Sequence, residues 1–427
     1  MIKVLRVSWP LLLGMGLLML GNGLQGTLLG IRGSLEGFST FSMSIVMSGY
    51  FAGFLGGSRM APEMIRRVGH IRVFAALGSF ISAILILYPT FTDPVAWTIL
   101  RVAIGFCFSA VYVTAESWLN NAATNETRGQ SLSLYMIVQM LGIIGAQGIV
   151  AFGDPSGFVM FIIPSVLVSL SFAPILLSAQ PTPPFETTKP MDLRSLYRAS
   201  PLGFIGMFLL GGVFSAQFGM AAVYGTQAGL SVKEISVFIA IIYVGGLVAQ
   251  YPIGWASDRM DRRVLICGLA FVGGAACILG AFLGHVFNVL LVVGFLIGGV
   301  SNPLYSLLLA YTNDYLEHED MAAASGGLLF VNGVGAIAGP VITGWMMGSM
   351  FGPAGFWVFI ALLMLLLGLY ALYRMTQRRA PTVAETSAYV SVLPTASAVA
   401  LGAAQDWASD RADDQSEKNE DSSGKAR

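Results

Sequence analysis

The sequence predicts an all-α membrane protein of twelve transmembrane helices, arranged as two pseudo-symmetric six-helix halves. Three observations predict it: twelve apolar runs long enough to cross a bilayer, basic residues gathered in alternate loops, and residues that recur at two fixed offsets. Composition agrees. Of 427 residues, 55% are hydrophobic and 11% charged, whereas soluble domains carry roughly 25% charged residues. The 51 glycines suit helices that pack backbone to backbone in a membrane. Lys+Arg and Asp+Glu balance at 23 each, so the implied partner is the lipid bilayer and not nucleic acid.

A helix crossing the hydrocarbon needs roughly 20 apolar residues. Such runs lie near 8–31, 40–57, 73–92, 95–116, 130–152, 157–178, 201–224, 234–254, 264–284, 288–311, 323–348 and 355–374. The first is too long for a signal-peptide core and lacks a small-residue cleavage site, so it reads as a retained helix. Residues 1–178 make the N-terminal half and 201–375 the C-terminal half. Between them, 179–200 holds Pro181, Pro183, Pro184 and Pro190 and reads as a linker. The polar stretch 376–427 reads as a disordered tail.

Loop charge orients the runs. With the N-terminus in the cytoplasm, the cytoplasmic loops collect Arg59, Arg66, Arg67, Arg72, Arg128, Lys189, Arg194, Arg198, Arg259, Arg262 and Arg263. With both chain ends included, this side holds 20 basic residues. The opposite side keeps Arg32 and Lys233, and Arg101 lies within a span. The positive-inside rule therefore places both termini in the cytoplasm. Trp9, Trp97, Trp118, Trp255 and Trp357 fall near span ends, where interfacial indoles are expected.

The two halves repeat. Gly14-Met15 recurs as Gly206-Met207, Gln25 as Gln217, and Gly37 and Ser39 as Gly229 and Ser231, all at an offset of 192. Gly56, Thr114 and Glu116 recur as Gly254, Thr312 and Asp314 at 198. Two parallel six-helix halves place a substrate site between them, near the bilayer midplane.

The loop after the eighth run reads Gly254-Trp-Ala-Ser-Asp258-Arg259-Met-Asp261-Arg262-Arg263. It resembles the loop signature of the major facilitator superfamily, a glycine and an aspartate followed by a basic pair. The equivalent first-half loop has Met60 where the aspartate would stand, and then Glu63, Arg66, Arg67 and Val68-Gly69-His70-Ile71-Arg72. That string, together with Ala115-Glu116-Ser117-Trp118-Leu119-Asn120, Asn313-Asp314-Tyr315 and Ala323-Ala324-Ser325-Gly326-Gly327, resembles the YcaD-like branch of that superfamily. The resemblance spans about residues 10–375. It implies the major facilitator fold and a carrier in a bacterial cytoplasmic membrane, and it names no substrate. Arg101, four residues before Gly105, resembles an arginine that the superfamily ties to proton coupling on its fourth helix.

Candidate site residues follow from the cost of polar groups in hydrocarbon. On the first helix Asn22, Gln25, Arg32 and Glu36 share one face at helical spacing. With Tyr112, Gln139, Gln147, Gln217, Gln250, Asn302, Tyr305 and Asn332 they suggest a cavity rich in amides and hydroxyls, suited to a neutral or zwitterionic solute. Arg101 lies ~9 Å inside the outer surface at about 1.5 Å per residue. It is expected to pair with Glu36, with Arg32 close by, as the proton-coupling group. A cytoplasmic gate is expected where Glu116 and Asp314 meet Arg66, Arg67, Arg259 and Arg262, with Gly254, Asp258 and Arg263 in the signature loop.

Cys107, Cys267 and Cys277 lie in apolar runs without metal or redox spacing, and no phosphate-cradling loop is present. No cofactor, metal or enzyme activity is expected. The expected function is proton-coupled secondary transport of a small solute by alternating access, by a monomer. The alternative is a non-transporting membrane sensor or scaffold on the same fold.

Overall fold

A computed structural model describes residues 2–124, 127–176, 191–377, 386, 389–405 and 407. All regular structure among them is helical. The N-terminal half comprises α1 (Ile2–Leu35), α2 (Thr40–Val68), α3 (His70–Leu87), α4 (Pro94–Ala122), α5 (Arg128–Phe152) and α6 (Val159–Leu176). A short helix, α7 (Leu193–Ala199), precedes α8 (Pro201–Ser215), which passes through a π-helical turn at Ala216–Met220 into α9 (Ala221–Gln227). Then follow α10 (Val232–Ser257), α11 (Arg262–Leu283), α12 (Phe287–Asn313), α13 (His318–Ser349) and α14 (Ala354–Gln377). The linker residues 179–190 lie outside the described residues.

Eleven helical segments among the described residues are long and apolar enough to cross a membrane, with α8, the π turn and α9 forming one of them. The twelfth expected span, α2, has 29 residues, or about 44 Å at 1.5 Å per residue, but is less apolar. Its serines and glycines explain why. They face α4 and α13, the helices it packs on most, where small residues permit close approach. The run expected to end at residue 57 continues as helix to Val68, so most of the expected loop is a helical extension.

The repeat is visible in backbone detail. Gly37 and Gly229 hold φ of 75° and 76°, a left-handed conformation suited to glycine. Two residues later, Ser39 and Ser231 cap α2 and α10, accepting from the amides of Ser42 and Glu234. At the same offset of 192, Gly53 and Gly245 bring α2 onto α4 and α10 onto α12. A Cβ there would lie 1.9 Å from the Val102 carbonyl oxygen and 2.1 Å from that of Phe295.

Helices α1–α6 pack mainly on one another, as do α8–α14. The halves meet along α2–α13, α5–α10 and α1–α9. At the face bearing the α1–α2 and α9–α10 loops, contact is direct. A Cβ on Gly30 would stand 2.6 Å from Ala222 Cβ, and Ser48 Oγ donates to the Ile337 carbonyl at 2.6 Å. At the other, basic face, which bears the α2–α3 and α10–α11 loops, residues 389–405 run between the halves. Of the tail expected to be disordered over 376–427, residues 389–405 pack against the helices, and 378–385, 387–388, 406 and 408–427 lie outside the described residues. Val392, Leu393, Ala396, Ala400, Leu401, Ala403 and Ala404 are all buried, and 398–405 is helical. Burial of these apolar residues offsets the ordering entropy that a solvated polar tail would not recover.

The tryptophan expectation is also corrected. Trp9 and Trp255 are exposed, but Trp97, Trp118 and Trp357 are buried. Trp97 packs edge-on against Phe38 and Tyr88, and its indole N–H donates to the Tyr88 carbonyl at 3.0 Å.

Candidate functional site

The polar face of α1 organises the centre of the N-terminal half. Arg101 Nη1 donates to Gln25 Oε1 at 2.8 Å, Gln25 Nε2 to Asn22 Oδ1 at 3.1 Å, and Asn22 Nδ2 to Tyr112 Oη at 2.9 Å. Arg101 and Tyr112 both come from α4, so the relay ties α1 to α4 twice. Arg101 is buried at 3% exposure. Its second terminal nitrogen contacts Met47 Sδ at 3.2 Å, and its guanidinium lies 4.9 Å from the Tyr50 ring centre. An arginine can stack and donate in this way without a carboxylate.

The expected Arg101–Glu36 pair is absent. Glu36 is held by Arg32 at 2.6 Å, one turn earlier on α1. Arg32 also donates to the carbonyls of Pro155 and Ser156 in the α5–α6 loop. The i,i+4 partner wins because it shares the helix face.

In the C-terminal half, Gln217 lies within the π turn, a widening of the helix often found at functional sites. Its Oε1 accepts from Ser301 Oγ of α12 at 3.0 Å. Tyr305 packs edge-on against Phe214, and Phe214, Phe218 and Tyr243 form a consecutive stack. A Cβ on Gly219 would lie 3.4 Å from Met47 Cβ, so the π turn abuts the residue that Arg101 contacts. Arg101 Nε, Gln217 Nε2 and Tyr305 Oη are among the buried donors that have no hydrogen-bond partner among the described residues.

Other candidates tie helices together. Asn332 Nδ2 donates to the Met207 carbonyl at 3.0 Å, joining α13 to α8. Gln147 accepts from Thr27 at 3.0 Å, joining α5 to α1. Asn302 donates to Gly298 on its own helix. Gln139 is buried on α5. Sequence reasoning missed Met47, Tyr50, Tyr243 and Ser301. The aromatics were hidden by a composition of 11% Phe, Trp and Tyr, although the Ser48-Gly49-Tyr50 step inside a span was a readable signal.

At the basic face, the expected pairing across the two halves is replaced by pairs within each half. Arg66 and Arg67 both engage Glu63, at 2.8 and 2.6 Å. Their hydrogen bonds hold the Glu63 carboxyl down to about 2. Arg262, its side chain 2% exposed, pairs with Asp314 at 2.5 Å and joins α11 to α12. His70, one repeat earlier, bonds Ser117 at 2.9 Å and joins α3 to α4. Arg263 pairs with Asp261 at 2.8 Å, and Arg259 stacks on Trp255. Glu116 and Asp258 instead accept from the tail: Ser397 N–H to Glu116 Oε2 at 2.7 Å, and Tyr389 N–H to Asp258 Oδ1 at 3.1 Å. Gly254 lies against the Tyr389 ring. No cluster able to hold a metal is found among the described residues.

The profile of the Major Facilitator Superfamily matches residues 11–242 and 203–405. The chain belongs to the Major Facilitator Superfamily. Its kinship within that family is with YcaD, an MFS-type transporter. The YcaD of Escherichia coli O6:K15:H31 is 29% identical over 346 residues, covering 79% of this chain and 88% of the relative, and that of strain K12 is 28% identical over 345. The branch read from the loop strings is thus borne out. Among solved structures, the fold is shared with the nucleoside transporter NupG (TM-score 0.71, 16% identity, 86% of this chain and 99% of that one). It is shared also with a bacterial homologue of the human lysosomal transporter Spinster (TM-score 0.65, 13% identity, 94% and 97%). This major facilitator chain is a membrane transporter, not an enzyme.

Proposed function

We propose that the protein is a secondary carrier. It moves a small solute across a bacterial cytoplasmic membrane by alternating access, driven by protons, with both chain ends cytoplasmic. The observation that carries this reading is the polar cluster where the halves meet. The relay Arg101–Gln25–Asn22–Tyr112 comes from one half and Gln217 with Tyr305 from the other, and the donors Arg101 Nε, Gln217 Nε2 and Tyr305 Oη are buried without hydrogen-bond partners among the described residues. Polar atoms at such depth need partners, and a bound solute offering acceptor oxygens supplies them. The aromatic residues Tyr50, Phe218 and Tyr243 suit a flat ring. The family is one of transporters, and the 20-to-2 basic asymmetry supports the orientation.

Glu36 is committed to Arg32, so the coupling proton needs another carboxylate. Glu116 is buried in α4 and held by an amide, with no cation paired to it among the described residues. It is the acid placed to take up and release a proton between the halves.

The test is reconstitution in liposomes containing a pH-sensitive dye, with a panel of ring-bearing carboxylates, nucleobase-like solutes, sugars and amino acids. At least one compound should induce proton flux that empty liposomes lack. Folded protein that responds to none would move the reading to a membrane sensor on the same fold.

A further inference from the structure

We propose that residues 389–405 are an autoinhibitory plug that binds between the two halves at the basic face and must leave for the carrier to cycle. The proposal rests on the transport reading above and adds a regulatory segment to it.

The segment engages both halves. On the N-terminal half, Ser397 N–H donates to Glu116 on α4, and Leu393 packs with Met136 and Met140 of α5. On the C-terminal half, Tyr389 Oη and Ser391 Oγ both donate to Gln250 Oε1 of α10, at 2.9 and 3.2 Å. Val392 exchanges two hydrogen bonds with Ser306 of α12, its N–H donating at 3.0 Å and its carbonyl accepting at 3.2 Å. Gln405 Nε2 donates to Ser325 of α13.

Its chemistry fits this slot. From 389 to 405 the chain carries no charged residue, whereas 406–427 is dense in Asp, Glu, Lys and Arg. Alanines at 396, 400, 403 and 404 are all buried, as a narrow cleft between helices requires. The polar contacts satisfy groups that would otherwise be stranded, Glu116 among them.

The steric consequence is direct. Alternating access rocks one half against the other around a central site. The opposite face is already closed by contact of α1 with α9 and α2 with α13. Closing the basic face brings the ends of α4 and α12 together, and residues 392–397 occupy that space. The docked segment therefore arrests the carrier in one state, and its release permits the cycle. The segment also covers Asp258 and Gly254 of the signature loop.

The test uses the full chain with Cys107, Cys267 and Cys277 replaced by alanine and a single reporter, Ser306→Cys, beneath Val392. A membrane-impermeant thiol reagent is applied to inside-out vesicles. The reporter is expected to react slowly, and at least 10-fold faster when Leu401→Glu forces a charge into the buried segment. Ser397→Pro, which removes the amide donor to Glu116 without adding charge, should give the same direction and guards against a misfolded first variant. Equal labelling rates in all three backgrounds would overturn docking, whatever transport shows. Solute flux is measured in the same proteins without the reporter. Faster flux with Leu401→Glu and Ser397→Pro supports inhibition. Protected labelling with unchanged measurable flux overturns inhibition. Protected labelling with no flux from any protein overturns the transport reading, and with it a plug on the carrier cycle.

Discussion

Arg101 and Gln25 meet at 2.8 Å between α4 and α1, where the guanidinium meets an amide, a thioether and a phenol ring, with the Tyr88 phenol close by and no carboxylate partner among the described residues. The fork of the guanidinium meets all three at once. A lysine supplies a point charge and cannot reproduce that geometry. Arg101→Lys should reduce solute flux at least ~10-fold, equivalent to about 1.4 kcal/mol of lost interaction, with the protein still folded by gel filtration. Near-normal flux would remove Arg101 from the site.

Glu116 separates the driving force from the carrying step. Glu116→Gln keeps an oxygen to accept the Ser397 amide but cannot exchange a proton. Solute accumulation driven by a pH gradient should be lost, while exchange of labelled for unlabelled solute continues. Intact pH-driven accumulation would show that the coupling acid lies elsewhere.

The sequence made much of this framework legible, and the limits have physical causes. Apolar length and loop charge found the spans, and the offset of 192 found Gln25 and Gln217, each of which is hydrogen-bonded to a neighbouring helix. Depth alone suggested Arg101 and Glu36 as partners. Depth does not specify which way a side chain points around its helix, and Arg32 was one turn away on the same face. The plug was missed for a different reason. A run of Ala, Ser, Thr and Val shows no strong helical period, and its burial depends on a slot made by helices far away in sequence. Its lack of charge between residues 389 and 405 was the available clue.

The Arg262–Asp314 pair is structural, with side-chain exposures of 2% and 3%. Removing one partner leaves an uncompensated buried charge, which costs about 3–5 kcal/mol. Asp314→Ala should lower the apparent melting temperature in detergent clearly more than Asp258→Ala, whose side chain is 45% exposed. Equal shifts would contradict the buried placement.

Glu63 supplies a pH control. Its carboxyl is held down to about 2, against the usual 4.5, by hydrogen bonds from Arg66 and Arg67. A lowered folded-state value means that this contribution is present above about pH 4.5 and fades as pH falls toward 2. It is constant between pH 5 and 8, so Glu63→Gln should leave the pH profile of flux in that range unchanged. A profile shifted by one unit would place Glu63 in the coupling route.

Close packing offers a fifth check. Gly53→Ala drives a Cβ to 1.9 Å from the Val102 oxygen, whereas Gly26→Ala meets nothing within 4 Å. The first should cost about 1–3 kcal/mol of stability through overpacking and the second little, as read by thermal unfolding. Equal tolerance would contradict the α2–α4 contact.

The central claim is a solute site exposed alternately to the two sides, and counterflow tests it most directly. Proteoliposomes preloaded with an excess of the unlabelled solute are given a trace of labelled solute outside, with the Leu401→Glu chain used alongside the wild type. An alternating carrier predicts labelled uptake that overshoots equilibrium and is lost with Arg101→Ala. Uptake that ignores the preloaded solute and survives Arg101→Ala would contradict both the mechanism and the site.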